Sequence, residues 1–226
     1  MALWAAPMEN RKPKSLLIII SGPSGSGKKT LLDHIVAQFP DLERIPTYTT
    51  RAPRPGEVPG VDYVFVSDKE FAELRESGMI FECTQPYGDF WYGSPSRLIE
   101  DGDTRSYLAE MDPSGMLKVR ACSQRRVVSI FILPPTEHEL ASRIKCRGTE
   151  LNVDTRLSIV IQQAEHAWAY DYVIVNLDLA DFLSDGSAIV NAELVRQRGL
   201  HRLLTGCSDP STACSSMETE EQNRCR

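Results

Sequence analysis

The sequence predicts an α/β fold in which helices flank a parallel sheet and a mixed β lobe is inserted between the first two α/β units. Five consecutive apolar residues at 16–20 are typical of a strand that is buried on both faces of such a sheet. A glycine-rich turn follows at once, and apolar residues then recur at helical spacing as far as Phe39. From Arg105 onward, strand and helix patterns alternate again, which indicates further units of the same sheet.

The glycine-rich turn, Gly22-Pro-Ser-Gly-Ser-Gly-Lys28, stands between a strand and a helix, as a phosphate-binding loop does. Glycines allow backbone N–H groups to turn toward phosphate oxygens, and the helix N-terminus adds its positive dipole end. Lys28 can then reach the β- and γ-phosphates. The usual pattern places a magnesium-binding hydroxyl directly after this lysine, but here Lys29 precedes Thr30. A lysine so close to the phosphates would add charge there or compete with magnesium. We predict a P-loop NTPase-type nucleotide site.

Bulk properties argue against several classes of protein. The chain has 226 residues and a formal net charge of -6, so its overall field does not favour nucleic acid. No stretch is long and apolar enough to cross a bilayer, and the first residues lack the basic patch of a signal peptide. The six cysteines form no CxxC pair, which favours reduced thiols. We expect a cytoplasmic protein without a nucleic-acid or membrane partner.

The remaining elements are predicted in order along the chain. Proline and glycine at 47–60 exclude a helix and indicate a loop that leads to a strand at 63–66. Asp68 is the expected N-cap of a helix over 69–77. Strands at 79–85 and 90–93 and a helix from Ser94 to Glu100 complete the lobe. Later elements are a strand at 105–111, a helix at 113–122, a strand at 127–133, helices at 137–145 and 155–170, a strand at 172–175 and a helix at 185–204. Residues 1–14 are expected to form a flexible leader and residues 206–226 a disordered tail.

Motifs in the same order resemble those of the guanylate kinase family over roughly residues 15–205. They are Gly22–Lys28, the segment Thr49-Thr-Arg-Ala-Pro-Arg-Pro-Gly-Glu57-Val-Pro-Gly60-Val-Asp-Tyr63, Arg147-Gly-Thr-Glu150 with Arg156, and Tyr172-Val-Ile-Val-Asn176. The resemblance implies that the chain phosphorylates GMP, and dGMP, with ATP as the donor and Mg²⁺ as MgATP, as a monomer or homodimer. It also implies a GMP-binding lobe at 47–94 and a short helical lid at about 143–156.

The resemblance assigns residues to each substrate. The implied ATP site comprises Gly22, Pro23, Ser24, Gly25, Ser26, Gly27, Lys28, Lys29, Thr30 and Asn176, with Thr30 as the candidate magnesium ligand. The implied GMP site comprises Thr47, Arg51, Arg54, Glu57, Tyr63, Glu82, Tyr92, Ser94 and Asp112. The implied catalytic cations around the transferred phosphoryl group are Lys28, Arg143, Arg147 and Arg156.

The chemistry of these residue types agrees with the implied roles. The guanidinium groups of Arg51 and Arg54 match phosphate oxygens bidentately, and without a nucleotide they would repel each other. Glu82 can accept hydrogen bonds from guanine N1–H and N2–H₂, which adenine does not offer. Each unmet buried group costs about 1–3 kcal/mol, so one carboxylate can discriminate between the purines.

Departures from the family pattern leave two alternatives open. Besides Lys29, there is one extra residue between Glu82 and Ser94, Glu110 replaces an Asp, and the segment from Arg147 to Arg156 is about two residues short. One alternative is a non-catalytic guanylate-kinase-like module that binds phosphopeptides. The other is a related P-loop kinase that acts on ribose 1,5-bisphosphate.

Overall fold

The computed structural model describes residues 15–85, 90–100, 102, 104–136 and 165–205. Its strands are β1 (Leu16–Ser21), β2 (Leu42–Ile45), β3 (Thr47–Thr49), β4 (Tyr63–Phe65), β5 (Ile80–Thr84), β6 (Tyr92–Pro95), β7 (Ser106–Glu110), β8 (Arg126–Leu133) and β9 (Tyr172–Val175). Its α-helices are α1 (Lys28–Gln38), α2 (Asp68–Glu76), α3 (Pro113–Cys122) and α4 (Leu179–Thr205). Short 3₁₀ helices lie at Ser96–Leu98 and Ala167–Ala169.

Two sheets organise the chain. The core sheet has the order β2-β7-β1-β8-β9, and all of its pairings are parallel. The second sheet has the order β4-β3-β6-β5 and mixes one parallel pairing with antiparallel ones. The predicted fold class, a parallel sheet flanked by helices with an inserted mixed β lobe, is therefore confirmed.

The core lies on both faces of β1, as its apolar run predicts. One face packs against Leu31 of α1 and Phe182 of α4, and the other packs against Met116 of α3. Alternate β1 residues supply the two faces, with Leu16, Ile18 and Ile20 on the first and Leu17 and Ile19 on the second. Full burial of these side chains stabilises each by about 1.5–3 kcal/mol relative to exposure. The core thus fixes the carboxyl end of β1, where the phosphate loop begins.

The topology places the substrate-binding segments at one edge of the core sheet. The carboxyl ends of parallel strands meet at the same edge, so the loop after β1 lies beside the segment after β7. β2 is parallel to β7 and runs through Pro46 directly into β3 of the second sheet. The lobe therefore joins the core at this edge.

Several predicted elements differ from the observed ones. The first residue of α2 is Asp68, and Ser67 rather than Asp68 is the N-cap, because its hydroxyl accepts a hydrogen bond from the Glu70 amide. The predicted helix at 94–100 is wrong, since Ser94 lies in β6 and only Ser96–Leu98 forms a 3₁₀ turn. The strands β2 and β3 were not predicted.

Other boundaries differ in the second half of the chain. α4 begins at Leu179, six residues before the predicted start at Asp185, and the Asp178 carboxylate accepts hydrogen bonds from its first turn. Residues 165–170, the predicted end of a helix, contain the 3₁₀ helix Ala167–Ala169 instead. The other predicted strands and α3 lie within two residues of their expected bounds.

The predicted leader (1–14), the helix at 137–145, residues 155–164 of the next helix and the tail (206–226) lie outside the described residues. Within the described ranges, no helix has the length and apolar character needed to span a membrane.

Candidate active site

A cavity of about 510 Å³ lies where the phosphate loop faces the second sheet. All nine predicted GMP-site residues line it, together with seven predicted ATP-site residues: Gly22, Ser24, Gly25, Gly27, Lys28, Lys29 and Thr30. Of the other predicted ATP-site residues, Pro23, Ser26 and Asn176 are buried. The chain thus brings the two predicted substrate sites into one cavity.

The phosphate loop depends on two glycines that no other residue could replace without strain. Gly22 has φ 146° and Gly27 has φ 106°, both in the region that favours glycine. A Cβ atom on Gly22 would lie 2.5 Å from the Ile132 carbonyl oxygen, and one on Gly27 would lie 2.5 Å from Asn176 Nδ2. Asn176 Nδ2 also donates a hydrogen bond of 2.8 Å to the Ser26 carbonyl oxygen. Asn176 therefore holds the loop in place through its contacts with Ser26 and Gly27.

The N-terminus of α1 opens into this loop. Gly27 is its N-cap and supplies no side-chain hydrogen bond to the first turn. The Lys28 ammonium group donates hydrogen bonds to the carbonyl oxygens of Gly22, at 2.7 Å, and Pro23, at 3.0 Å, and lies 3.5 Å from Glu110 Oε1. Helix amides and a lysine at one point form a site suited to anionic phosphate oxygens.

Oxygen ligands for magnesium are available at the same wall of the cavity. The Thr30 hydroxyl and the Glu110 carboxylate both line it, and hard oxygen ligands are those that Mg²⁺ prefers. Among the described residues, no group of three or more His, Cys, Asp or Glu side chains could hold a metal ion on its own. The residues present therefore fit a magnesium ion that phosphate groups bring with them.

The loop after β3 carries the residues of the predicted phosphate clamp. Arg51 is buried, and its two terminal nitrogens donate to both oxygens of Glu57, at 3.0 and 2.9 Å. Its Nε donates to the Tyr92 hydroxyl at 3.3 Å, and its guanidinium lies over the Tyr63 ring. The Arg54 amide donates to Glu57 Oε2 at 2.7 Å. The carboxylate of Glu57 thus lies at the predicted arginine pair and offsets their repulsion.

Burial opposes ionisation in this clamp, but the pairing outweighs it. Hydrogen bonds from Arg51 and from the Arg54 amide hold the pKa of the Glu57 carboxyl below its usual range despite burial. The same pairing raises the pKa of Arg51 against the effect of its own burial. The shifts of both partners therefore favour the ion pair between Arg51 and Glu57.

Glu82 forms the far end of the cavity. It is buried, and its Oε1 accepts a hydrogen bond of 2.7 Å from the Ser94 hydroxyl. Its Oε2 is also buried and has no hydrogen-bond partner among the described residues, because Lys118 Nζ is 3.6 Å away. Burial raises the pKa of Glu82, and Asp112 adds to the rise, whereas Ser94 and Lys118 oppose it. Glu82 thus lines the cavity and carries an unsatisfied buried acceptor, which suits a ligand with N–H donors.

Asp112 is fixed beside Glu82. Its Oδ1 accepts from the Gly115 amide at 2.8 Å as the N-cap of α3, and its Oδ2 accepts from the Thr84 hydroxyl at 2.5 Å. A Cβ atom on Gly115 would lie 2.8 Å from Glu82 Oε1, so this glycine makes room for the carboxylate. The start of α3 therefore positions both acidic side chains.

Sequence reasoning did not assign six contributors to this site: Thr84, Lys118, Glu110, Gly115, Arg44 and Asp62. The first two contact the carboxylates of Asp112 and Glu82, and the last two belong to a group of ion pairs with Lys29. The sequence shows Gly115 three residues after the N-cap Asp112, but a residue at that position is expected to be helical and gives no sign of a contact with Glu82. Lys29 lines the cavity, but its ammonium is paired with Asp62. Arg143, Arg147 and Arg156 lie outside the described residues.

Comparison with known proteins identifies the family. The guanylate kinase family model matches residues 14–193. The chain is 34% identical over 191 residues to a guanylate kinase of Wolbachia sp. subsp. Brugia malayi, which covers 83% of this chain and 97% of the relative. It is 38% identical over 188 residues to one of Rhizobium meliloti, covering 81% and 85%. A solved guanylate kinase from Anaplasma phagocytophilum has a TM-score of 0.65 at 35% identity and covers 85% and 95% of the two chains. The chain therefore belongs to the guanylate kinase family.

Proposed function

We propose that this chain transfers the γ-phosphoryl group of ATP to GMP, and to dGMP, releasing ADP and GDP or dGDP. Family membership makes it a nucleoside monophosphate kinase, and the cavity supports the choice of acceptor. The observation that carries the proposal is that one cavity of about 510 Å³ joins a phosphate loop, an arginine clamp and a buried carboxylate with an unsatisfied oxygen.

The donor side holds the triphosphate of ATP. The amides of the loop from Gly22 and of the first turn of α1 face the β- and γ-phosphate oxygens. Lys28 exchanges its hydrogen bonds to the Gly22 and Pro23 carbonyls for phosphate oxygens, which are stronger acceptors for an ammonium. Lys28 then offsets negative charge that develops on the transferred group.

The acceptor side holds GMP by both ends. Arg51 and Arg54, with the hydroxyls of Tyr63 and Tyr92, bind its phosphate. At the other end, Glu82 accepts from guanine N1–H and N2–H₂, and Ser94, Asp112 and Thr47 surround the base. Adenine and a ribose phosphate without a base both leave the Glu82 carboxylate unsatisfied, which disfavours the alternative acceptors.

The chemical step requires orientation and charge compensation. A phosphate oxygen of GMP forms the new bond to the γ-phosphorus while the bond from that phosphorus to the β-bridging oxygen breaks, and ADP leaves with the electron pair. The attacking oxygen is already anionic, so no general base is needed. We propose Arg143, Arg147 and Arg156 as further cations of a lid at about 143–156, which would exclude water on closure.

Magnesium is the proposed cofactor. When bound, it would supply charge compensation to the phosphate groups of ATP. Thr30 and Glu110 would hold it, directly or through water, because they present oxygens at the donor wall.

An acceptor screen tests the proposal. ADP release is measured with ATP and Mg²⁺ against GMP, dGMP, AMP and ribose 1,5-bisphosphate. We expect turnover with GMP and dGMP and at most a trace with the other two acceptors. Turnover with ribose 1,5-bisphosphate in place of GMP would favour the alternative kinase. No turnover and no ATP binding would favour a phosphopeptide module.

A pair of variants then locates the reaction. Lys28→Met is expected to lower kcat by about 10²- to 10³-fold, as the loss of one preorganised charge contact does. Lys69→Met is the matched control, because Lys69 is highly exposed on α2 and its ion pair within the described part of the chain is the i,i+4 contact with Glu73. Equal activity of the two variants would contradict the donor assignment.

A further inference from the structure

Charged side chains form a closed ring between α1 and the acceptor lobe, outside the roles assigned above. The ring consists of Lys29 and Asp33 in α1, Arg44 in β2 and Asp62 in the loop before β4. Lys29 pairs with Asp62 and lies 3.4 Å from Asp33. Arg44 is 3.0 Å from Asp33 and 3.1 Å from Asp62. Its two cations and two anions balance, so this charge ring is a neutral unit.

Asp62 is the member that reaches the phosphate clamp. Its side chain is only 2% exposed, and its Oδ2 accepts the Val58 amide hydrogen at 2.8 Å. Burial disfavours its charge, yet Lys29, the Val58 amide and Arg44 together hold the pKa of Asp62 below the usual range. The segment 51–62, which carries the phosphate clamp, is therefore anchored at its C-terminal end by a fixed carboxylate. Its N-terminal end follows directly from β3.

Lys29 is adjacent in sequence to the donor-site lysine but is directed elsewhere. Successive residues of an α-helix lie about 100° apart around its axis. Lys28 accordingly turns to the phosphate loop carbonyls, while the Lys29 ammonium contacts the lobe. The first turn of α1 thus touches both substrate sites, one through each lysine.

We propose that Lys29 is a positioning residue that acts through Asp62 to hold the phosphate clamp against α1, so that the acceptor phosphate faces the donor phosphate loop. The inference rests on the proposed function, whose geometry it deepens. Lys29 stands at the sequence position where the usual pattern has a magnesium-binding hydroxyl, and in this proposal it acts at the acceptor site instead of at the metal.

The expected effect is moderate. The Lys29 side chain is 48% exposed, so solvent screens its charge, and Arg44 continues to neutralise Asp62 when Lys29 is changed. Removing this charge is expected to lower kcat/KM for GMP by about three- to tenfold at low salt. The deficit should shrink at high ionic strength, because the wild-type contact is itself screened there.

A double-mutant cycle tests the contact. Lys29→Met keeps the apolar stem and removes the charge, whereas Lys29→Arg keeps the charge. Asp62→Asn preserves an oxygen that can accept the Val58 amide hydrogen. We expect Lys29→Met to reduce kcat/KM for GMP and to change KM for ATP and the Mg²⁺ requirement less than about twofold. Lys29→Arg should restore at least half of the loss, and Lys29→Met should have almost no effect in the Asp62→Asn background. Lys69→Met serves again as the control.

Hydrogen exchange gives a readout that needs no activity. In the nucleotide-free protein, Lys29→Met should speed amide exchange in residues 51–62, with Val58 most affected, and leave α2 unchanged. Unchanged exchange there would overturn the proposal. The proposal would also be overturned if Lys29→Met lowered kcat/KM for GMP equally in the wild-type and Asp62→Asn backgrounds. A change in KM for ATP and in the Mg²⁺ requirement alone would overturn it as well. If the wild type fails to phosphorylate GMP, the proposed function fails instead, and the exchange comparison still tests the charge ring.

Discussion

The substitution Glu82→Gln tests how the chain recognises guanine. Ser94 already donates to Oε1 of this carboxylate, and Oε2 is buried with no hydrogen-bond partner among the described residues. Glutamine has the same shape but replaces one oxygen by an N–H₂ donor, so one of the two guanine donors loses its acceptor. Loss of a hydrogen bond to a charged group costs about 1.5–3 kcal/mol. A tenfold change corresponds to about 1.4 kcal/mol, so we expect kcat/KM for GMP to fall by about 10- to 150-fold.

The assay is steady-state kinetics with GMP and with inosine monophosphate, which lacks the N2 amino group, at saturating MgATP. KM for ATP should be unchanged, and the preference for GMP over inosine monophosphate should narrow in the variant. Thermal unfolding should show equal or greater stability, because burial of this ionised carboxyl is unfavourable in the wild type. A folded Glu82→Gln protein within twofold of wild-type kcat/KM would refute the guanine assignment.

Three further predictions concern the same cavity. Gly115→Ala should weaken GMP binding measured by calorimetry, because its Cβ would lie 2.8 Å from Glu82 Oε1, whereas Gly199→Ala, with nothing within 4 Å, should leave binding unchanged. Gly27→Ala should abolish ATP binding but not GMP binding, since φ is 106° and the new Cβ would lie 2.5 Å from Asn176 Nδ2; retained ATP affinity would contradict this. GMP affinity should fall on acidification as the Glu82 carboxyl gains a proton, with a midpoint above pH 4.5 because its pKa is raised, and Glu82→Gln should lack this step.

Local patterns in the sequence predict the core better than the lobe. β1, the phosphate loop and α1 follow from one buried apolar run, three glycines and helical spacing, all within residues 16–39. β3 has only three residues and exists because β4 and β6 pair with it from positions far along the chain. Pairing of this kind leaves no periodic signal in so short a segment.

The predicted start of α2 is one residue late, because the N-cap is Ser67 instead of the predicted Asp68. Ser67 and Asp68 are both good N-cap residues, but only Ser67 has a glutamate at the third helical position, which completes a capping box. α4 begins earlier than predicted, at Leu179, because the Asp178 carboxylate accepts hydrogen bonds from the Ala180 and Asp181 amides. The choice between the neighbouring caps at 67 and 68 is thus decided by Glu70, three residues after Ser67.

The candidate site shows the same division. Resemblance to family motifs predicted the clamp residues and Glu82, and all of them line one cavity. Lys118, Thr84 and Asp62 became visible only in three dimensions, since each approaches from another element or loop. Lys29 was predicted to add charge at the phosphates or to compete with magnesium, whereas the structure pairs its ammonium with the buried carboxylate of Asp62, 33 residues away in the sequence.

The carboxylate of Glu57 has a consequence for turnover. Both of its oxygens accept hydrogen bonds from Arg51, so under the proposed function an incoming GMP phosphate would replace one anion, Glu57, by another at that guanidinium. Such a swap yields less net affinity than capture by bare guanidinium groups would. Weaker binding of this kind favours product release, which the proposed reaction needs in every cycle. Glu57 can pair with Arg51 again when the nucleoside diphosphate dissociates.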